Sequence, residues 1–271
     1  MKFYVNNPAF LQGAGNHAKG INWFYVESLE DENEFSFAGT YLGQVASQME
    51  YSLDAITWNQ LSIDYSLTIN NGEKLYLRCV EDNIATGERS DNGQNGSFNL
   101  FCPSGAYKIG GDLSTLIFKD GIVVASEAYC GCLFNGQTYL SSAEDLVLPN
   151  VISEWCFDGM FNNCRNMSTP PNLPFTELAE GCYSAMFNGC ESLEKSPELP
   201  AIKLFDYCYG SMFQFCRSLT NIICLAEHFA LESTSYWTYE VAQLGTFTKA
   251  AGVEWPTASS GIPDGWTVIE V

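Results

Sequence analysis

CYSAMFNGC, residues 182–190, holds two cysteines eight positions apart around a Met-Phe pair, and the chain repeats the arrangement on either side. CFDGMFNNC fills 156–164 and CYGSMFQFC fills 208–216, so the first cysteine recurs at Cys156, Cys182 and Cys208 and the second at Cys164, Cys190 and Cys216, each time after 26 residues. A degenerate copy, LFNGQTYLSSAEDLVLP (133–149), lies upstream, with Thr138 near the place of the second cysteine. Each unit continues with an apolar pair, Leu140/Leu146, Met167/Leu173, Leu193/Leu199 and Leu219/Leu225, and Pro149, Pro174 and Pro200 close three of the four.

A period of 26 lies within the range of leucine-rich repeats, whose units cannot bury an apolar side alone and gain a core by stacking. The segment around the second leucine of each pair is expected to be a short strand. The Cys-aromatic-x-x-Met-Phe-x-x-Cys segment is expected to form one or two helical turns. Met160, Phe161, Met186, Phe187, Met212 and Phe213 then make an apolar ladder along the solenoid.

The cysteines fit packing better than chemistry. On a helix rising ~1.5 Å per residue, cysteines eight apart stand ~12 Å from each other, too far for a disulfide. Zinc ligands come in close Cys-x-x-Cys pairs, and the nearest approach to one is Cys130-Gly-Cys132. A residue recurring at every rung is what a packing position looks like, and free cysteine is a small hydrophobe. No metal, cofactor or catalytic residue is expected.

Composition bounds the rest. The 271 residues are 46% hydrophobic and 14% aromatic, an ordered profile, and 12 basic against 32 acidic side chains give a formal charge of −20. That charge repels phosphate backbones and anionic headgroups, which argues against nucleic acid as a partner. No apolar run reaches the ~18 residues of a membrane span, and MKFYVNNPAFLQGAGNHAKG lacks the apolar stretch of a signal peptide, so neither membrane insertion nor a standard export signal is expected.

Several short motifs resemble sites without the context for one. Gly13, Gly15 and Ala18 have dinucleotide-fingerprint spacing, but strand-like NWFYVES leaves no room for the helix that must follow. DNGQNG (91–96) starts like a calcium loop, yet Cys102 stands where the bidentate glutamate belongs. LEDENE (29–34) is a solvated acidic run. The two histidines, His17 and His228, have no local nucleophile partner.

Before the repeats, NWFYVES, EYSLDAITWNQL, YSLTI and KLYLRCV alternate with turn signals, and INNGEKLYLR is a strand entered through the Asn70-Asn71-Gly72 turn. The expected architecture is an N-terminal immunoglobulin-like β-sandwich (1–112), a short leucine-rich-repeat solenoid (113–230) and a C-terminal aromatic cap (231–271) carrying Trp237, Trp255 and Trp266.

CYSAMFNGCESLEKSPELP resembles the BspA-like leucine-rich-repeat proteins of Bacteroides and of the bacteriophages of such hosts. EYSLDAITW, INNGEKLYLR and IGGDLSTLIF are similar to the β-rich module that often precedes those repeats, and GTFTKAAGVEWPTASSGIPDGWTV to the segment that follows them. The resemblance implies non-enzymatic, surface-exposed recognition. It leads to the expectation of a virion component, a head or tail fibre or decoration, touching a host-surface protein or glycan and other virion proteins, with a homo-oligomer among the expected assemblies. A bacterial cell-surface adhesin is the alternative. The exposed strand positions expected to face a ligand are Ser168, Thr169, Glu194, Lys195, Thr220 and Asn221.

Overall fold

The computed structural model describes residues 21–37, 48–62, 64–80, 100–121, 130–230 and 232–271. The loops expected at 13–20 and 91–96, and His17, lie outside them. The fold is almost entirely β, with one helical turn, α1 (Ser114–Ile117), and two short 3-10 turns among the described residues.

The first part of the chain supplies β1 (Tyr25–Ser28), β2 (Asn33–Phe37), β3 (Met49–Ser52), β4 (Asn59–Gln60), β5 (Tyr65–Ile69), β6 (Lys74–Cys79), β7 (Cys102–Pro103) and β8 (Tyr107–Asp112). Alternation of apolar and polar side chains makes these strands half-buried, as β6 shows with Leu75, Leu77 and Cys79 inward and Lys74, Tyr76 and Arg78 outward. β2, β5 and β7 form a small antiparallel sheet, and β4, β3, β6, β1 and β8 lie side by side in a larger one. Rings join the two: Phe35 of β2 meets Tyr107 of β8 at 5.7 Å. The Asn70–Glu73 turn, with Gly72 at φ +80° and the Glu73 amide donating to the Asn70 carbonyl, carries the chain from β5 to β6.

β8 also begins the solenoid. On one edge it pairs antiparallel with β1, and on the other it pairs parallel with β9 (Leu140–Val147), the strand of the degenerate first repeat. Thr169 bridges Ser142 in the next unit. β10 (Lys195–Leu199), β12 (Asn221–Cys224), β14 (Thr246–Lys249) and β15 (Thr267–Glu270) then run parallel in that order, while β11 (Lys203–Leu204) pairs with β13 (His228–Phe229). One core extends without a break from Phe24 to Trp266.

The Met-Phe segments are not helical. They are chains of β-turns in which every fourth residue is left-handed: Trp155, Gly159 and Asn163, then Gly181, Ala185 and Gly189, then Tyr207, Ser211 and Phe215, with φ between +50° and +72°. A left-handed residue every fourth position prevents the continuous i to i−4 ladder of a helix. Amides are shared out by parity instead. Those of Ser184, Met186 and Asn188 close turns on the carbonyls of Gly181, Tyr183 and Ala185, while those of Tyr183, Ala185 and Phe187 donate to Cys208, Gly210 and Met212 on the next rung at 2.7–3.0 Å. Buried backbone groups are thereby paired in every rung, which offsets the cost of non-glycine residues at positive φ.

Side chains repeat with the rungs. The rings of Phe24, Phe134, Phe161, Phe187 and Phe213 stack in succession, with centroids 5.6–6.0 Å apart. A second column, Phe157, Tyr183, Tyr209, Trp237 and Trp255, stacks at 5.4–6.2 Å. Met160, Met186 and Met212 are fully buried beside them. Trp237 terminates the first column and belongs to the second, and its Nε1 donates to the Gly261 carbonyl at 2.9 Å. The turn row and strand of a further rung continue past residue 230, since Tyr209, Ser211 and Phe213 donate to Ser233, Ser235 and Trp237. The last leucine pair shifts register: Leu199 lies opposite Cys224 instead of Leu225, because an irregularity between Lys195 and Glu198 absorbs one residue.

Candidate recognition surface

The parallel ladder brings Lys195, Asn221, Thr246 and Thr267 into one row across four strands, and Glu198, Ile223, Thr248 and Ile269 into a second. Inward positions Leu199, Ile222, Cys224 and Phe247 fill the core, so the outward ones are held at fixed intervals of about 4.8 Å per strand. Thr169, bridged to Ser142, occupies the corresponding edge of the preceding unit.

Of the six positions expected to face a ligand, Ser168, Glu194, Lys195 and Thr220 are exposed, and Thr169 and Asn221 are half-buried. Two of their hydroxyls are engaged between rungs: Thr220 Oγ1 donates to the Glu194 carbonyl at 3.3 Å and Ser168 Oγ to the Ser141 carbonyl at 3.4 Å. Lys195 forms no ion pair among the described residues, leaving its ammonium available. The extension of the row to Thr246 and Thr267 was missed in the sequence, because TFTK and TVIE carry none of the cysteine and Met-Phe markers. Their two-residue alternation was the signal.

On the turn side, Glu154, Glu180 and Asp206 repeat every 26 residues and are exposed, with Glu232 half-buried at the same spacing. The Trp155 amide donates to the Glu180 carbonyl and the Gly181 amide to that of Asp206, so these carboxylates stand on successive rungs. Beside them the Trp155 and Tyr207 rings stack at 6.1 Å. Here too the constant interval was visible in the sequence, though it was not used.

The thiols face inward. Ten of eleven cysteines are buried and only Cys102 is exposed. The second cysteine of each repeat donates to a carbonyl of the preceding rung: Cys164 to Phe134 at 3.0 Å, Cys190 to Phe161 at 3.2 Å and Cys216 to Phe187 at 3.0 Å. Burial pushes the Cys182 and Cys224 thiols up to about 12, and raises those of Cys156, Cys190 and Cys208 well above the usual range. A thiol so poorly ionised is a weak nucleophile and a weak metal ligand. No three His, Cys, Asp or Glu side chains converge on a point among the described residues. No helix among them is long and apolar enough to cross a membrane.

Compared with known protein families, with curated proteins and with solved structures, the chain matches none of them.

Proposed function

We propose that the protein is a non-enzymatic recognition or structural module displayed on a surface: a virion component of a bacteriophage, a head or tail fibre or decoration that contacts a Bacteroides-type host. In this reading the solenoid is a leucine-rich repeat of the BspA-like kind and the N-terminal sheets form an immunoglobulin-like sandwich. The observation that carries the proposal is the row Lys195, Asn221, Thr246 and Thr267, which presents polar side chains at fixed spacing on a rigid sheet. Such a row suits an extended host protein or glycan bound over several rungs. The inward, weakly acidic thiols support a structural role for the most conspicuous residues of the sequence.

The test is localisation. An antibody against the chain is expected to label particles purified from infected Bacteroides-type cultures, and capsid or tail genes are expected beside its gene. Labelling of the envelope of uninfected cells instead would replace the virion reading with that of a cell-surface adhesin.

A further inference from the structure

We propose that the groove between Thr238–Gln243 and Ala258–Asp264 is a binding site for one or two rings of a neutral saccharide. It is separate from the strand row of the recognition reading and does not rest on it.

The way the solenoid is capped creates the groove. Asn163, Gly189 and Phe215, the last left-handed residues of successive turn rows, donate their amides to the Asn188, Gln214 and Tyr239 carbonyls of the next rung at 2.7–2.8 Å. Glu240, with φ +57°, holds that place in the final row, and its amide meets no acceptor among the described residues. In place of a further turn row stands the 3-10 turn Ala258–Ser260, which covers only the earlier part of this one: the Tyr236 amide donates to Ser260 Oγ and the Thr238 amide to the Ser259 carbonyl, each at 3.1 Å. What remains beside Glu240 is a groove of about 320 Å³. The last strand does not fill it. The Thr267 amide donates to the Gly245 carbonyl, and β15 then runs away from Gln243, bringing Val271 to Lys249.

The walls carry one aromatic ring and several uncommitted polar groups. Tyr239 is 40% exposed, with Phe215 and Tyr236 against it at 5.6 and 6.5 Å. The Glu240 backbone amide and the Gln243 side-chain amide can donate, the Asp264 carboxylate can accept and the Ser259 hydroxyl can do either, since none of them has a hydrogen-bond partner among the described residues. The Glu240 carboxylate is already engaged by Arg217.

These groups select the ligand by exclusion. An anion is opposed by Asp264, by Glu240 and by the formal charge of −20. A metal ion would find one uncommitted carboxylate, too few for a cage. An apolar molecule would cover the amides and the carboxylate without pairing them, which is costly. A sugar ring satisfies all of them: its neighbouring hydroxyls both donate and accept, and its C–H face lies against a tyrosine ring. The volume is at the small end of the about 300–1,000 Å³ of ligand sites, enough for one or two rings and too little for a long chain.

The experiment is saturation-transfer NMR on the full chain, with glucose, galactose, mannose, N-acetylglucosamine, glucuronic acid and acetyl-tetraglycine amide as probes. Transfer is expected to at least one neutral sugar, and to neither glucuronic acid nor the peptide. Tyr239→Ala is expected to weaken that sugar about tenfold, the loss of one ring contact, while Tyr239→Phe binds as the parent does. Asp264→Ala weakens it too, and Lys195→Ala, on the strand row, leaves it unchanged; thermal melting like the parent's shows that the variants are folded. Transfer to none of the neutral sugars would overturn the proposal, as would a preference for glucuronic acid or the peptide. So would a sugar whose binding survives both Tyr239→Ala and Asp264→Ala, or is lost in Lys195→Ala.

Discussion

Gly181 lies directly beneath Trp155. It has φ +61°, and a Cβ built there would stand 2.3 Å from the indole carbons. The glycine thus permits both the left-handed turn and the passage of Trp155 across a whole rung to stack on Tyr207. Gly181→Ala is expected to cost about 1–3 kcal/mol through backbone strain and ring displacement, read by urea denaturation together with a shift in tryptophan emission.

Met186 occupies the middle rung with no exposure. Met186→Asp places an unpaired charge in the core, which costs several kcal/mol, a large part of a domain's stability. Loss of the cooperative thermal transition in circular dichroism is the expected outcome, and melting like the parent would refute the ladder assignment.

The thiols can be counted by their reactivity. In the native protein a disulfide-exchange reagent should titrate one rapidly, Cys102, with the other ten reacting only on unfolding. Cys190→Ala, which loses the hydrogen bond to the Phe161 carbonyl and opens a small cavity, is expected to destabilise by about 1–2 kcal/mol in chemical denaturation.

Tyr183 stacks between Phe157 and Tyr209, yet its buried hydroxyl has no hydrogen-bond partner among the described residues. The preceding rung already has phenylalanine in this column. Tyr183→Phe keeps the stack and removes the unsatisfied group, so a gain of about 1 kcal/mol, or about 2–4 °C in Tm, is expected by calorimetry.

Asp112 ends β8, and its Oδ1 accepts from the Ser114 amide at 2.9 Å and from the Ser114 hydroxyl at 2.6 Å. Burial raises its carboxyl above the usual range despite these bonds. A raised carboxyl binds its proton more tightly in the folded state, so its ionisation lowers stability as pH rises from the ordinary carboxylate value through the raised one. Asp112→Asn keeps the accepting oxygen and discards the charge. The variant should melt above the parent at pH 7 and together with it at pH 3.

The 26-residue interval together with apolar character was enough to locate the core: Cys156, Met186 and Phe213 are apolar positions repeated at each rung and are buried, whereas Glu154, Glu180 and Asp206 repeat at the same interval and are exposed. Interval alone does not distinguish a helical turn from linked β-turns. That difference lies in the left-handed residues at every fourth position, which glycine marks only in part, at Gly159, Gly181 and Gly189, while Trp155, Asn163 and Ala185 hold the same conformation unannounced. Lys195 and Asn221 were legible as outward neighbours. Thr246 and Thr267 were not, because their strands are set by pairing, β14 with β12 and β15 with β14, which local sequence does not encode. The dual pairing of β8 was likewise hidden, since IGGD reads as an ordinary strand until both of its partners are known.

The parity rule of the turn rows makes length come in whole numbers. Each rung hands alternate amides to the next, so excising one complete period, such as 182–207, rejoins Phe161 to Met212 and Phe213 with donors, rings and thiols still matched. Removing half a period would set carbonyl against carbonyl and leucine against solvent. The coil can lengthen or shorten its reach across a target only in single rungs, in the way a ladder is altered by whole steps.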